Sequence, residues 1–331
     1  MSEKDLSKTT KGTSEKNENL NVGQDAPIFS SPMFSNQFVK TFKPGLSTLK
    51  PLYEIYNSLS QNIENRGKTP KHQIGLAELD YTLWGLHKQE LLMVGGMTSH
   101  GKSSFVIQLV KNLVDEHRRI IYFSLEMSKE QILERLLSNF CELNNLSLRD
   151  GTAKEEWRKK EEVFKAWIRK LNLLIDDGNG YDFNNLVEVC KMIKPDFIII
   201  DYIQMISSKG FRSKMEAIEE YVRKIKELSI TMNFGTIMVS QFNRAGGDDP
   251  GMQNFKGTSV LEQHPDTCLI LKWENKEIFT GDPNFEVKVA KQRQGGTNDK
   301  IPLVFIPQYS MFRDPGDDNH RFQKKPWELR Q

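Results

Sequence analysis

The run Leu91-Leu-Met-Val-Gly-Gly96-Met97-Thr98-Ser99-His100-Gly101-Lys102-Ser103-Ser104 carries three features in succession: a short apolar strand, a loop bounded by glycines, and the first turn of an amphipathic helix. From Gly96 to Ser103 it fits the pattern G-x-x-x-x-G-K-[ST]. Glycines let backbone N–H groups turn inward around a phosphate, and a helix opening at Lys102 aims the positive end of its dipole at the same point. The predicted cradle is therefore Gly96, Met97, Thr98, Ser99, His100, Gly101, Lys102, Ser103 and Ser104, with the phosphates of a nucleotide as its ligand. Lys102 adds a point charge at the β- and γ-phosphates, and the Ser103 hydroxyl ligates Mg²⁺. Average residue frequencies give such a match by chance in on the order of one per cent of chains of this length. Its place between an apolar strand and a helix is the context that the chemistry needs.

On both sides the pattern is of strands alternating with helices, which signals an α/β domain with a mostly parallel sheet. Helices are predicted at Lys102–His117, from the capping box Ser128-Lys-Glu-Gln131 through Phe140, near Phe183–Ile193 and at Lys214–Met232. Strands are predicted at Arg119–Phe123, Leu171–Ile175, Phe197–Ile200 and Thr236–Val239. Thr267–Lys272, Phe285–Ala290 and Ile301–Ile306 follow with no clear helices between them, which predicts an antiparallel edge on the parallel core. Lys154-Glu-Glu-Trp-Arg-Lys-Lys-Glu-Glu reads as a solvated helix face laced with ion pairs.

The chain has 331 residues, with 46 Lys and Arg against 44 Asp and Glu, a net charge of +2, so any nucleic-acid contact must come from local patches. Hydrophobic residues make up 37%, enough for a real core. Cys141, Cys190 and Cys268 lie far apart, which argues against a disulfide framework or a cysteine-based zinc site and for a reducing compartment. No apolar stretch is long enough to span a bilayer and no signal-peptide core is present, so the expectation is a soluble, cytoplasmic protein. Residues 1–45, rich in Ser, Thr, Asn, Lys and Glu, read as a disordered arm with apolar islands at Ile28–Phe34 and Phe38–Phe42. Residues 46–73 hold a short amphipathic helix (Leu52, Ile55, Tyr56, Leu59, Ile63), residues 74–315 the main domain, and residues 316–331 a basic tail.

Two carboxylates follow predicted strands. Asp201 closes Phe197-Ile-Ile-Ile200, at the end of a parallel sheet where ligands gather. Alone it reads as a turn residue; beside a phosphate loop the metal-holding role is favoured. Glu126, in Tyr122-Phe-Ser-Leu-Glu126-Met127, suits two readings equally: an acid interacting with a helix dipole, and a group orienting the water that attacks a γ-phosphate.

Taken together, residues 74–313 resemble the C-terminal RecA-like motor domain of DnaB-type replicative helicases. The resemblance rests on Ser124-Leu-Glu126-Met127 with Glu130, Gln131 and Arg135; on Ile200-Asp201-Tyr202-Ile203-Gln204; on Ser240-Gln241-Phe242-Asn243-Arg244; on Glu262-Gln263 with Asp266; and on Val289-Ala-Lys291-Gln-Arg293-Gln-Gly295. It implies a RecA-like P-loop NTPase core and a ring-forming, hexameric, ATP-hydrolysing helicase that moves on single-stranded DNA. It implies that Glu126 polarises the attacking water, that Asp201 and Ser103 hold Mg²⁺, and that Gln241 senses the γ-phosphate. Arg293, with Lys291 beside it, would serve a neighbouring subunit's site as an arginine finger. DNA would meet two loops, one with Lys209, Arg212 and Lys214, the other with Arg244, Lys256, Gly257 and Ser259. A primase, loader or polymerase is the implied partner of the N-terminal arm, and no membrane is involved.

Three departures from the family accompany the likeness. Only a disordered-looking arm and one short helix precede the motor here, too little for the collar domain of full-length bacterial relatives, and the expectation is a trimmed protein of a phage or other mobile element. Met97-Thr98 and His100 replace the family's usual loop residues, with His100 read as a passive loop residue. His264-Pro265 interrupts the helix before Asp266, removing a backbone donor. Two competing readings keep the same core: a recombinase of the RecA type, and an ATP switch without motor activity.

Overall fold

The computed structural model describes residues 52–64, 72–178, 183–242, 260–273, 284–297 and 300–317. The N-terminal arm, Arg244, Lys256, Gly257, Ser259 and residues 318–331 lie outside the described residues. The chain divides into two units, 1–66 and 67–331. In the first, helix α1 (Leu52–Glu64) follows the predicted periodicity. Leu52, Tyr53, Ile55, Tyr56, Leu59 and Ile63 are exposed along it.

The second unit is built on one nine-stranded sheet of order β3-β2-β4-β5-β1-β6-β7-β8-β9. The strands are β1 (Leu91–Gly96), β2 (Ile120–Ser124), β3 (Leu173–Asp176), β4 (Phe197–Asp201), β5 (Gly235–Gln241), β6 (Thr267–Trp273), β7 (Phe285–Gln292), β8 (Lys300–Ile306) and β9 (Met311–Arg313). Strands β1 to β6 pair in parallel, whereas β6, β7, β8 and β9 pair antiparallel, as the helix-free end of the sequence predicts. Every residue of β1, β2 and β4 is buried, which is why these strands read as unbroken apolar runs rather than alternating ones.

Helices cover both faces. They are α2 (Ala77–Leu83), α3 (Lys102–Asp115), α4 (Lys129–Cys141), α5 (Asn145–Arg149), α6 (Lys154–Ile168), α7 (Phe183–Ile193), α8 (Lys214–Met232) and the four-residue α9 (Val260–Gln263). One core joins Phe105, Val106 and Leu109 of α3 to Phe140 and Trp167 and to the aromatic residues of the antiparallel edge. The other packs Leu186, Tyr221, Val222 and Ile225 against Met93, Ile198, Ile200 and Met238. The capping box forms as predicted, since Ser128 Oγ accepts the Gln131 N–H and the Gln131 side chain accepts the Ser128 N–H. The acidic and basic run of α6 is the outer face of a helix whose inner face buries Phe164 and Trp167, with Trp167 stacked 4.2 Å from Phe140. Helix α9 stops at Gln263, ahead of Pro265, and the turn delivers the Asp266 N–H to the Leu91 carbonyl at 2.9 Å. The proline thus ends the helix where β6 must begin.

Candidate active site

Four strands end within two residues of one another at the same edge of the sheet, Ile200 of β4 lying opposite Met238 of β5. Gly96 of β1 pairs with Gln241 of β5, and Ser124 of β2 pairs with Asp201 of β4. Chemistry-bearing residues from distant parts of the sequence therefore converge at the C-terminal edge of the sheet, where open α/β sheets bind ligands.

The loop 96–103 leaves β1 and enters α3 through Gly101, whose φ is +72°. A side chain is disfavoured there twice over. The conformation is left-handed, and a Cβ would stand 3.2 Å from Phe305 and 3.3 Å from Phe312. These rings belong to an aromatic floor in which Phe305 stacks on Phe312 at 4.4 Å, Trp273 meets Phe305 edge-on at 5.0 Å and Phe105 meets Phe312 at 5.4 Å. The antiparallel edge, silent in the motif, thereby supports the phosphate loop from below. His100 takes part as well: its Nδ1 accepts the Trp273 N–H at 3.1 Å, tying the loop to the end of β6.

Lys102 Nζ donates to the Met97 carbonyl at 2.8 Å, so its ammonium lies over the loop. Asp201 is buried, and the Tyr122 hydroxyl donates to its Oδ2 at 2.7 Å. Burial pushes the Asp201 carboxyl up, opposed by hydrogen bonds from Tyr122 and Ser103 and by the nearby charges of Arg135 and Lys102. The same burial, with Asp201 alongside, pushes the Tyr122 phenol well above its usual range, keeping it a donor. Arg135 of α4 also donates to Ser104 Oγ at 3.3 Å. Ser103 and Asp201 offer two hard oxygen donors, and among the described residues no cluster of three or more His, Cys, Asp or Glu forms a metal site. That sparse oxygen set fits Mg²⁺, which takes most of its ligands from phosphates and water.

Glu126 is exposed beyond the end of β2, on a turn held by the Ser124 hydroxyl, which donates to the Met127 carbonyl at 2.5 Å. Burial pushes the Tyr202 phenol up, and the nearby Glu126 charge adds to the rise there and, to a smaller degree, at Tyr122. Gln241 Nε2 donates to Thr98 Oγ1 at 2.5 Å, bridging β5 to the phosphate loop. Gln204 grips that same point, donating to Ser240 Oγ at 2.8 Å and to the Gln241 carbonyl at 3.2 Å. The residues predicted on the nucleotide thus come together, and Tyr122, Arg135 and Gln204 join them without having been assigned a role. Tyr122 left one signal in the sequence, a hydroxyl inside an apolar strand.

Arg293 and Lys291 lie elsewhere. Leu271 of β6 is level with Gly96, whereas the Arg293 N–H donates to the Asp266 carbonyl at the start of β6. Five residues at about 3.3 Å each separate those levels by roughly 16 to 17 Å, beyond the reach of Arg293 to its own loop. The Arg293 guanidinium pairs with Asp266 at 3.3 Å with its side chain 52% exposed. Lys291 donates to the Glu262 and Gln263 carbonyls at 2.8 and 2.6 Å, and burial lowers its pKa.

In the first of the two loops expected to meet DNA, Lys209 and Arg212 are exposed. Lys214 is exposed as well; its ammonium donates to the Ile206 carbonyl, and desolvation lowers its pKa. It closes the base of the loop. No helix among the described residues is long and apolar enough to cross a membrane.

The DnaB-like helicase C-terminal domain family matches residues 73–314. The chain is 27% identical over 281 residues to the replicative DNA helicase DnaC of Bacillus subtilis, covering 79% of this chain and 60% of that protein. It is 28% identical over 302 residues to the replicative DNA helicase DnaB of Rickettsia felis, covering 79% and 61%. The chain therefore spans about three fifths of the length of these relatives. Among solved structures, an isolated ATPase domain superposes with a TM-score of 0.74 at 23% identity, covering 80% of this chain and 99% of that one. A DnaB-like replicative helicase, described with its interactions with primase, superposes with a TM-score of 0.71 at 24% identity, covering 80% and 67%. With more than two thirds of its length matched and a RecA-like sheet of this order beneath the phosphate loop, the chain belongs to the DnaB-like helicase C-terminal domain family.

Proposed function

We propose that this chain is the motor of a replicative DNA helicase: a ring-forming, hexameric ATPase that moves on single-stranded DNA and parts the duplex. The observation that carries the proposal is the division of the machinery between the two ends of one sheet. The phosphate loop, Asp201, Glu126 and Gln241 gather at one end, and a half-exposed Arg293 stands at the other. A site of this kind is complete only when a second copy brings its arginine to the first copy's phosphates.

In the proposed reaction the backbone N–H groups of 96–103 and the Lys102 ammonium bind the β- and γ-phosphates of ATP. Ser103 and Asp201 would hold Mg²⁺, which supplies charge neutralisation at the phosphates when bound. Glu126 orients and accepts a proton from the attacking water. Arg293 of the adjoining copy stabilises charge developing on the transferred phosphoryl group, a contribution worth about 10³–10⁵ in rate in related chemistry. Gln241 meets the γ-phosphate, and its loss passes along the Thr98–Gln241–Gln204 hydrogen bonds towards the loop bearing Lys209 and Arg212. A primase, loader or polymerase would meet the N-terminal arm.

The test mixes Arg293→Ala chains with Lys102→Ala chains and measures ATPase activity and unwinding of a forked duplex. Mixing restores hydrolysis if the site is shared, whereas specific activity unchanged by mixing or dilution overturns the reading. Glu126→Gln retains ATP binding and loses hydrolysis by at least about a hundredfold. Electron micrographs showing extended filaments would favour a recombinase instead.

A further inference from the structure

Asp266 joins parts of the chain that no motif connects. Its Oδ2 accepts the Leu91 N–H at 2.7 Å and the Lys226 ammonium at 2.6 Å, and its Oδ1 faces the Arg293 guanidinium at 3.3 Å. Its carbonyl accepts the Arg293 N–H at 3.0 Å, so side chain and backbone of the arginine are held by one residue. A second support comes from α9, whose Gln263 carbonyl accepts Arg293 Nη2 at 3.4 Å while Glu262 and Gln263 together receive Lys291. Carbonyls at a helix C-terminus lack intrahelical partners and attract cations, so two basic side chains are the natural cap.

The Asp266 side chain is 10% exposed and the Arg293 side chain 52%. A buried, anchored carboxylate thus grips a guanidinium that still reaches solvent. Arginine presents several N–H donors in a planar fork, and the contacts to Asp266 and Gln263 leave donors for an anion arriving from outside. Fixing a flexible side chain before it is needed removes the ordering cost at the moment of reaction.

We propose that Asp266, with the α9 carbonyls, is a positioning residue that seats Arg293 for the phosphates of an adjoining copy. The inference rests on the shared-site reading above. The same carboxylate holds the first residue of β1, so the arginine a chain offers and the strand ending in its own phosphate loop share one anchor.

The test uses two mixtures of full-length chains, with the Lys102→Ala and Arg293→Ala mixture as reference. In the first, Asp266→Asn is added to the Lys102→Ala chain, which donates the arginine; in the second, to the Arg293→Ala chain, which receives it. Restored kcat is expected to fall at least about tenfold in the first mixture with KM for ATP unchanged, and to hold in the second. Equal losses in both mixtures would make Asp266 a support of its own chain's fold and overturn the proposal. A gain in the first mixture would make it a restraint on Arg293 and would overturn it too. If the reference mixture itself fails to restore hydrolysis, the shared site is refuted rather than the seat. Should Asp266→Asn not fold, Asp266→Glu carries the same comparison, keeping the charge and displacing the carboxylate.

Discussion

Replacing Gly101 by alanine isolates the physical demand that the phosphate loop places on its floor. The new methyl group meets two penalties. A φ of +72° costs an L-residue roughly 1–2 kcal/mol. Contacts of 3.2 Å to Phe305 and 3.3 Å to Phe312 are overpacking against stacked rings that cannot yield singly, a cost of about 1–3 kcal/mol. Gly210 supplies the control, because its φ of +88° imposes the backbone cost while nothing lies within 4 Å of its missing Cβ. Thermal melts and denaturant titrations of Gly101→Ala and Gly210→Ala then separate the two: both lose the backbone share, and only the first loses the packing share. At about 2–4 °C per kcal/mol for a unit of this size, Gly101→Ala should melt several degrees below Gly210→Ala. Binding of a fluorescent ATP analogue should weaken in the former and hold in the latter. Trimming the obstructing ring, as Gly101→Ala/Phe312→Leu, should return part of the packing share in a double-mutant cycle. If Gly101→Ala and Gly210→Ala melt together and bind nucleotide equally, the aromatic floor plays no part in shaping the loop.

Two further outcomes follow from buried charge. Asp201→Asn removes a desolvated carboxylate while leaving an acceptor for the Tyr122 hydroxyl, so the melting midpoint should rise as ATP hydrolysis collapses; a fall in the midpoint would refute the charge cost. Glu116 behaves oppositely: burial pushes its carboxyl up, but hydrogen bonds from His72, the Gln73 N–H and Arg118 outweigh this and leave it lowered from 4.5. Its stabilisation is therefore present above 4.5 and lost as pH falls through the lower folded value. Glu116→Gln should cost about 1 kcal/mol at pH 7, and the gap between variant and parent should close on acidification; a gap independent of pH would refute the assignment.

The alternation of apolar runs with helical periodicity is enough to read the parallel core. The helices Phe183–Ile193 and Lys214–Met232 form with the predicted ends, and β4 extends the predicted run only by Asp201 itself. Local chemistry explains this, since periodicity and caps act over a few residues. The elements that escaped are short, namely α2, α5 and β9, whose pattern is too brief to register. In the site, the phosphate loop, Asp201 and Glu126 are legible because each sits where a strand ends. The Tyr122–Asp201 bond spans 79 positions and the Leu91–Asp266 bond 175, and no local pattern announces partners so far apart. At Lys214 the sequence shows a cation in a flexible-looking loop, and the fold adds the Ile206 carbonyl to which it donates.

The floor beneath Gly101 comes from Phe305 and Phe312, about two hundred positions after the loop it carries. Synthesis runs in one direction, so a nascent chain halted on the ribosome before Met311 would already hold every residue proposed to touch a phosphate and still lack Phe312, one of the two rings beneath Gly101. The floor is thereby completed only when translation of the unit is nearly done, by a β-strand of three residues.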